Sequence, residues 1–557
     1  MDMASKHEDY LLENAKIDDG PPVRYLLPPK KRNLDGETDK ESKLRRWTFG
    51  EKDPDKPNKT ILLVGETGSG KSTLINAMCN YVMGIKFEDQ EWFEVIDERE
   101  KDTQSQSQTS EVTVYEIFGY EGKIVPYSLT VIDTPGYGDT RGIEYDAVIT
   151  QKLHALFCSE GGVQEINAVG LVLKASDNRL SDRLIYIFDS VTSLFGKDME
   201  VKIVALITHS DGMPPTNALK ALEDAKIEFA KNEKNQPVHF VFNNCQSTVI
   251  TEKTEFGLKQ AWARTKTGMD QFTAFLEKTA PQNLEKTVEV MKERIRLAAC
   301  INNLTEKIKL IELKKKEIQE TLEGLEKQKE ALRRGDEVEI EVDEPSKEKE
   351  SIDGGMWLVA YSGAVCCTVC EENCHYPGCT WAWYPGLCEV MKGGHCTVCT
   401  GKCPASDHVK ERKKYVIKTR KVKKTVGELK QSASELKQNN EADEEQNDPL
   451  LSNLQREKEK LEKQKDQLLD KAYQHVEKLE QIALNVNSLF THVHLDPLIK
   501  MMEDKGDKQK VEKLKKMKSR VDEGILAAMR YRLKCFAGKV TAFAQVVGKG
   551  FKNLGNM

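Results

Sequence analysis

The chain has 557 residues, of which 39% are hydrophobic and 31% charged, against roughly 25% charged in an average globular domain. At about 150 residues per domain, this length excludes one continuous core and calls for three or four structural units, with solvated helices between packed domains. The formal net charge is −6, from 84 basic and 90 acidic residues, so charge gives no whole-chain reason to expect nucleic acid as a partner. No apolar signal region stands in the first 57 residues and no run of about 18 apolar residues follows, so a cytoplasmic setting is expected.

Residues 1–57 are polar and rich in Pro, Lys and Asp (PPVRYLLPPKKRNLDGETDKESKLRRW), with little apolar surface to offset the entropy of ordering them. They read as a flexible leader. From 58 to 280, apolar β-rich runs such as Ile61–Val64, Leu129–Ile132, Val169–Leu173 and Val201–Ile207 alternate with segments of helical spacing, which predicts an α/β domain with a sheet covered on both faces. Residues 284–334 then carry a heptad stripe through Leu297, Ile301, Leu304, Ile308, Ile318 and Leu322, with Lys315 and Lys329 at two a positions. A weaker stripe between 425 and 490 runs through Leu461, Leu468, Ala472, Val476 and Leu479. Two coiled-coil arms are therefore expected to flank the intervening module at 335–424. At their inner ends lie the acidic alternating EVEIEVD (337–343) and the basic alternating KKYVIKTRKVKK (413–424). Opposite charges across an antiparallel ladder attract, so these segments are expected to pair and fold the arms back on each other.

After the strand TILLV comes Gly65-Glu66-Thr67-Gly68-Ser69-Gly70-Lys71-Ser72, followed by Thr73 and a helical segment. This is the phosphate loop G-x-x-x-x-G-K-S between strand and helix. Its glycines let backbone amides converge on phosphate oxygens at a helix N-terminus, Lys71 adds a positive charge, and the Ser72 hydroxyl can ligate Mg²⁺. The strand YSLTVID ends at Asp133-Thr134-Pro135-Gly136, where Asp133 would hold the Mg²⁺ shell and the Gly136 amide would sense a γ-phosphate. Between them lies the polar DTQSQSQTSEV, suited to a loop carrying a Mg²⁺-binding hydroxyl, assigned to Thr109 with Thr103 and Ser110 as rivals.

Through GETGSGKSTLINA (65–77) and DTPGYGDTRG (133–142) the segment 58–280 resembles the septin-like and AIG-type (immunity-associated) GTPases. The resemblance implies a Ras-like α/β fold, GTP and Mg²⁺ binding, and nucleotide-dependent dimers or polymers through the G domain. The guanine signature N/T-K-x-D stands here as Thr208-His209-Ser210-Asp211. Asp211 keeps the acceptor for the guanine N1 and N2 protons, while His209 replaces the lysine and would stack on the base, similar to the plastid-import receptor GTPases. GTP is thus expected over ATP. Phe242-Asn243-Asn244 looks like the last base-contacting loop of the AIG-type proteins, with Asn244 at the base. Tyr137 occupies the position of the water-orienting glutamine in Ras-like enzymes, so slow turnover is expected. Hydrolysis would quicken when two G domains meet, with Arg141 as a finger in trans and Asp139 as a water-positioning group.

Nine of the 14 cysteines fall between Cys366 and Cys403, and a reducing compartment favours metal over disulfides. The block repeats: Cys367, Cys370, Cys374 and Cys379 match Cys396, Cys399, Cys403 and His408 in spacing. Each copy supplies four ligands for tetrahedral Zn²⁺. Cys366, His375, Cys388 and His395 are spare, which leaves a cross-braced partition open. A structural zinc scaffold that engages a protein partner is expected. Residues 491–557 are expected to form a basic helical region, with 14 Lys and Arg against 4 Asp and Glu from Lys505 onward, a composition that suits an anionic membrane surface or a partner groove.

Overall fold

The apolar runs of the α/β segment become strands because each is too short for a buried helix. The computed structural model describes residues 15–34, 44–96, 111–134, 143–159, 161–177, 180–327, 339–352, 363–379, 384–425, 449–520, 526 and 529–531. It divides into one unit formed by residues 1–291, 482–492 and 518–557 and a second formed by 292–481 and 493–517.

In the first unit the strands, in chain order, are β1 (Lys16–Asp18), β2 (Val23–Leu26), β3 (Lys30–Asn33), β4 (Leu44–Phe49), β5 (Asn58–Gly65), β6 (Glu91–Glu94), β7 (Val112–Ile117), β8 (Ser128–Asp133), β9 (Glu165–Ile166), β10 (Ala168–Lys174), β11 (Ile203–Thr208) and β12 (His239–Val241). Helices α1 (Lys71–Met83), α2 (Ile143–Cys158), α3 (Asp182–Thr192), α4 (Thr216–Asp224) and α5 (Glu255–Lys278) alternate with them. An eight-stranded sheet has the order β12-β11-β10-β5-β8-β7-β4-β3. Its centre is parallel from β12 to β8, and β7 runs antiparallel to β8. Ile61, Leu62, Leu63 and Val64 of β5 are all 0% exposed. That explains why the strand reads as a continuous apolar run rather than an alternating one. Ser181 begins α3 by accepting the Leu184 amide on its hydroxyl at 3.0 Å, an N-cap that satisfies one otherwise orphaned donor.

Of the flexible leader expected over residues 1–57, the described part is ordered: β4 adds to β7 in parallel and β3 adds to β4. β1, β2 and β6 form a separate three-stranded sheet. Side chains of α1 hold this sheet in place. Asn80 accepts the Phe93 amide at 2.9 Å and Asn76 accepts the Val95 amide at 3.0 Å, while Arg24 pairs with the buried Glu94 at 2.5 Å. The segment lacked apolar periodicity because its partners lie far along the chain.

The second unit is built on α6 (Glu285–Lys327), which starts in the first unit, and α7 (Pro449–Ile482). Glu293 meets His475 at 2.5 Å, Lys307 meets Gln464 at 2.8 Å and Lys314 meets Glu457 at 3.2 Å. Partner numbers fall as α6 advances, so the two helices pair antiparallel within one chain, and α7 rather than a second copy covers the seam of α6. Leu297, Ile301, Leu304 and Ile311 are buried as the heptad predicts. Beyond them the stripe departs from expectation: Lys314, Glu317 and Thr321 are buried and Leu322 is 40% exposed. The cause is a third layer. β13 (Gln282–Asn283) precedes α6, and after it β14 (Glu339–Ser351) and β20 (Lys413–Thr425) form an antiparallel ribbon from Glu339↔Thr425 to Ser351↔Lys413. The expected pairing of the acidic and basic segments is therefore present. Lys424 reaches Glu344 at 2.6 Å and Glu317 at 3.4 Å, while Lys316 reaches Asp343 at 2.6 Å, so the ribbon draws charged positions of α6 inward.

Between the ribbon strands lie β15 (Gly363–Cys367), β16 (Glu372–Cys379), β17 (Met391–Lys392), β18 (His395–Cys396) and β19 (His408–Glu411), with β15 pairing both β16 and β19. Helices α8 (Leu489–Lys505) and α9 (Lys508–Lys518) follow α7. Lys505 and Lys510 of these helices reach Asp470 of α7 at 3.1 and 2.7 Å. Most of the interleaved basic and apolar stretch after Arg530 lies outside the described residues. No described helix is long and apolar enough to cross a membrane.

The Glu293 carboxyl supplies a pH test of the helix pair. Burial alone would raise its pKa, but the hydrogen bond and charge of His475, joined by Arg296, hold it below the usual 4.5. A carboxyl depressed in the folded state stabilises above the unfolded value, and that stabilisation is lost as pH falls through the folded one. Urea midpoints followed by far-ultraviolet dichroism should therefore drop below pH 4.5. Glu293→Gln should lower the neutral-pH midpoint and flatten this part of the acid limb; an unchanged acid limb would contradict the assignment.

Candidate functional site: a phosphate loop and a cysteine cluster

Strand order reverses at β5, whose neighbours β8 and β10 carry the chain away on opposite sides. Ligands of open α/β sheets bind at such a switch point, outside the carboxyl ends of the strands. The phosphate loop leaves β5 there. Gly68 and Gly70 take φ of 80° and 88°, in the left-handed region that glycine enters without strain. Nothing stands within 4 Å of a β-carbon built at Gly68, whereas one built at Gly65 would meet the Val172 carbonyl at 2.5 Å. The loop is thus open on its outer rim and packed tight at its base.

Lys71, buried at the start of α1, donates to the carbonyls of Gly65 at 2.7 Å and Glu66 at 3.0 Å. The Ser69 hydroxyl is buried without a hydrogen-bond partner among the described residues. Asp133, at the end of β8, is 1% exposed, and Thr134 beside it donates to the Leu63 carbonyl at 2.9 Å. These contacts set the Asp133 end of β8 against the strand that carries the loop.

The segment 208–211 reaches the same place. Thr208 at the end of β11 donates to the Ser69 carbonyl at 2.7 Å, a tether sequence spacing did not reveal. His209 stands at φ 54°, and its Cε1 would lie 3.4 Å from a β-carbon at Gly70. Burial, then the charge of Lys174, lowers its pKa and so favours the neutral imidazole, whose Nδ1 lies 3.0 Å from the Thr208 hydroxyl. The Ser210 amide donates to the Phe242 carbonyl at 3.0 Å, bringing the Asn243-Asn244 turn alongside. Asn244 accepts from the Thr265 hydroxyl at 3.1 Å, while its buried Nδ2 has no partner among the described residues. Exposed Asp211 accepts the Met213 amide on Oδ1 at 2.8 Å. Thr109, Thr103, Ser110, Gly136, Tyr137, Asp139 and Arg141 lie outside the described residues. Thr208→Val should raise the nucleotide dissociation constant about tenfold, the loss of one buried hydrogen bond of roughly 1.4 kcal/mol. Titration with a fluorescent nucleotide would check this, and an unchanged constant would show the tether to be dispensable.

In the second unit the partition of the cysteines differs from the contiguous one expected. Cys367 and Cys370 gather with Cys399 and Cys403, and Cys374 gathers with Cys396, Cys399 and His408; within each set the ligand atoms lie within 4.8 Å of one another. The arrangement is cross-braced because β19 pairs back on β15, with His408 in register with Cys367. The Cys379 side chain lies outside the described residues. The spare His375 and Cys388 meet Glu389 in a third cluster, with His375 Nδ1 3.2 Å from Cys388 Sγ and 3.3 Å from the Glu389 carboxylate. Glu372 was missed by sequence reading. It accepts the Thr400 amide at 2.8 Å and pairs with buried Lys307 of α6 at 2.8 Å, so it ties the cluster to the helix.

The sheet and its loop form an α/β domain with a phosphate loop at the switch point. Residues 57–151 match the Septin family model. No curated protein matches the chain. Among solved structures, Toc33 from Arabidopsis thaliana in complex with GDP and Mg²⁺ is 16% identical over 42% of this chain and 89% of that one, with a TM-score of 0.28. The translation elongation factor SelB from Methanococcus maripaludis in complex with a GTP analogue is 13% identical over 41% of this chain and 36% of that one, with a TM-score of 0.23.

Proposed function

We propose that the chain is a GTP-binding protein and slow GTPase whose nucleotide state governs assembly through its G domain, and whose cysteine cluster is a zinc-stabilised platform for a protein partner. The observation that carries this reading is the formed phosphate loop, with Lys71 held at its base, Ser69 Oγ unpaired, and Thr208 and His209 beside it. Amides from Gly65 to Thr73 would hold the phosphates, with Ser72, Asp133 and Thr109 around Mg²⁺ and the Gly136 amide at the γ-phosphate. Asp211 would accept the guanine protons, and the unpaired Asn244 amide is a donor suited to a base oxygen. Arg141 is assigned to a second copy's nucleotide. GTP would supply a charged γ-phosphate that distinguishes the loaded state from the spent one.

Light scattering should rise with GTP and Mg²⁺, fall as GTP is consumed, and stay low for Lys71→Ala; equal scattering with GTP, GDP and no nucleotide would overturn the switch. Tyr137 in place of a water-orienting glutamine favours a second reading, in which the G domain is a clamp with little hydrolysis and the helical arms and cluster act as a scaffold. A phosphate-release assay on GTP-saturated protein separates the two, the scaffold reading requiring no release above background as protein concentration rises.

A further inference from the structure

We infer that the two zinc sites of the cysteine module form one binuclear centre in which the Cys399 thiolate bridges both ions. This rests on the zinc reading above and deepens it. Cys399 Sγ belongs to both four-ligand sets, with Cys367, Cys370 and Cys403 on one side and Cys374, Cys396 and His408 on the other. Among the described residues, each set reaches the four ligands of a structural zinc only when that sulfur is counted in both. A tetrahedral ion with Zn–S bonds of about 2.3 Å separates its sulfurs by roughly 3.8 Å, and Cys370 Sγ lies 3.6 Å from Cys403 Sγ.

The surroundings are built for thiolates. Backbone amides point at the sulfurs at 3.3 Å: Cys370 onto Cys367, Cys399 onto Cys396, Gly401 onto Cys370, and Cys403 onto Cys399 itself. Such hydrogen bonds orient first-shell ligands and spread their charge. His408 Nδ1 donates to the Pro404 carbonyl at 2.9 Å, which leaves Nε2 as the lone-pair nitrogen. That Nε2 is buried without a hydrogen-bond partner among the described residues, which suits a metal ligand. Six thiolates around two divalent ions leave two negative charges. Lys347, which donates to the Cys370 and Glu371 carbonyls at 2.9 and 3.0 Å, sits beside them as a counter-charge.

A shared sulfur makes the two ions depend on each other. In the full chain reconstituted with ¹¹³Cd²⁺, the β-protons of Cys399 should show scalar coupling to two cadmium resonances, while those of Cys367 and Cys374 couple to one each. Coupling of Cys399 to a single cadmium overturns the bridge. By elemental mass spectrometry, Cys399→Ala should lower the zinc content of the purified chain by two ions relative to the unsubstituted protein, and Cys367→Ala by one. A loss of one ion from Cys399→Ala also overturns the bridge. Purified chain with no cysteine-bound zinc or cadmium would instead remove the zinc reading on which the bridge depends.

Discussion

Lys71→Ala should raise the dissociation constants of both GTP and GDP by roughly 10²–10³-fold, from two charge-assisted hydrogen bonds at about 1.5–2 kcal/mol each. The lysine is held in place by the carbonyls of Gly65 and Glu66, so its charge waits at the loop before ligand arrives and little ordering remains to be done on binding. Removing it also strips a donor from the buried Gly65 carbonyl. That penalty falls on the folded protein and should lower thermal stability by about 1–3 kcal/mol. The affinity loss exceeds it because phosphate oxygens then face the loop without a neutralising charge. Calorimetric titration together with thermal unfolding distinguishes the effects, and nucleotide binding retained within about threefold would show that the loop is not the phosphate site.

Chelation of metal should unfold the cysteine module while leaving the sheet domain and its nucleotide affinity intact. Structural zinc in small domains contributes about 10–16 kcal/mol to folding. The apolar material around the cluster is slight: Val365, Val390 and Val398 are buried, at roughly 1.5–3 kcal/mol for each side chain. Ion pairs across the neighbouring ribbon, such as Lys421 with Glu341 at 3.5 Å and Lys423 with Glu339 at 3.6 Å, are exposed and contribute about 0–1 kcal/mol each. Bound zinc would therefore be the largest single term. Hydrogen exchange after treatment with a strong zinc chelator should show lost protection over residues 363–411 and retained protection in β5, β8, β10 and β11. Protection unchanged throughout would mean that the module holds without metal.

Local chemistry was legible in the sequence, and long-range partnership was only partly so. The phosphate loop could be read because its glycines, lysine and serine occupy fixed offsets between a strand and a helix. The ribbon could be read because charge of one sign alternated in each strand. Cross-bracing of the cysteines could not be chosen, since two tandem copies of a spacing suggest two local sites and only the return of β19 onto β15 exchanges their members. β3 and β4 were missed because Lys30–Asn33 is wholly polar and Leu44–Phe49 only half apolar; β3 is ordered by β4, and β4 by β7, more than 60 residues further on. The distal face of α6 was misread for a related reason: a heptad describes one partner helix, and this helix also carries a ribbon that wants charged neighbours.

Both strands of that ribbon are 13 residues long and pair without a bulge. Ile340 and Val342 face inward at 4% and 3% exposure, with the charged positions between them facing out. Because side chains alternate with a period of two, a residue added or deleted within β14 ahead of Ile340 and Val342 would send those two apolar groups to solvent and bring its acidic neighbours inside. Length variation in this arm is therefore confined to steps of two, and changes made in both strands at once preserve the ladder best.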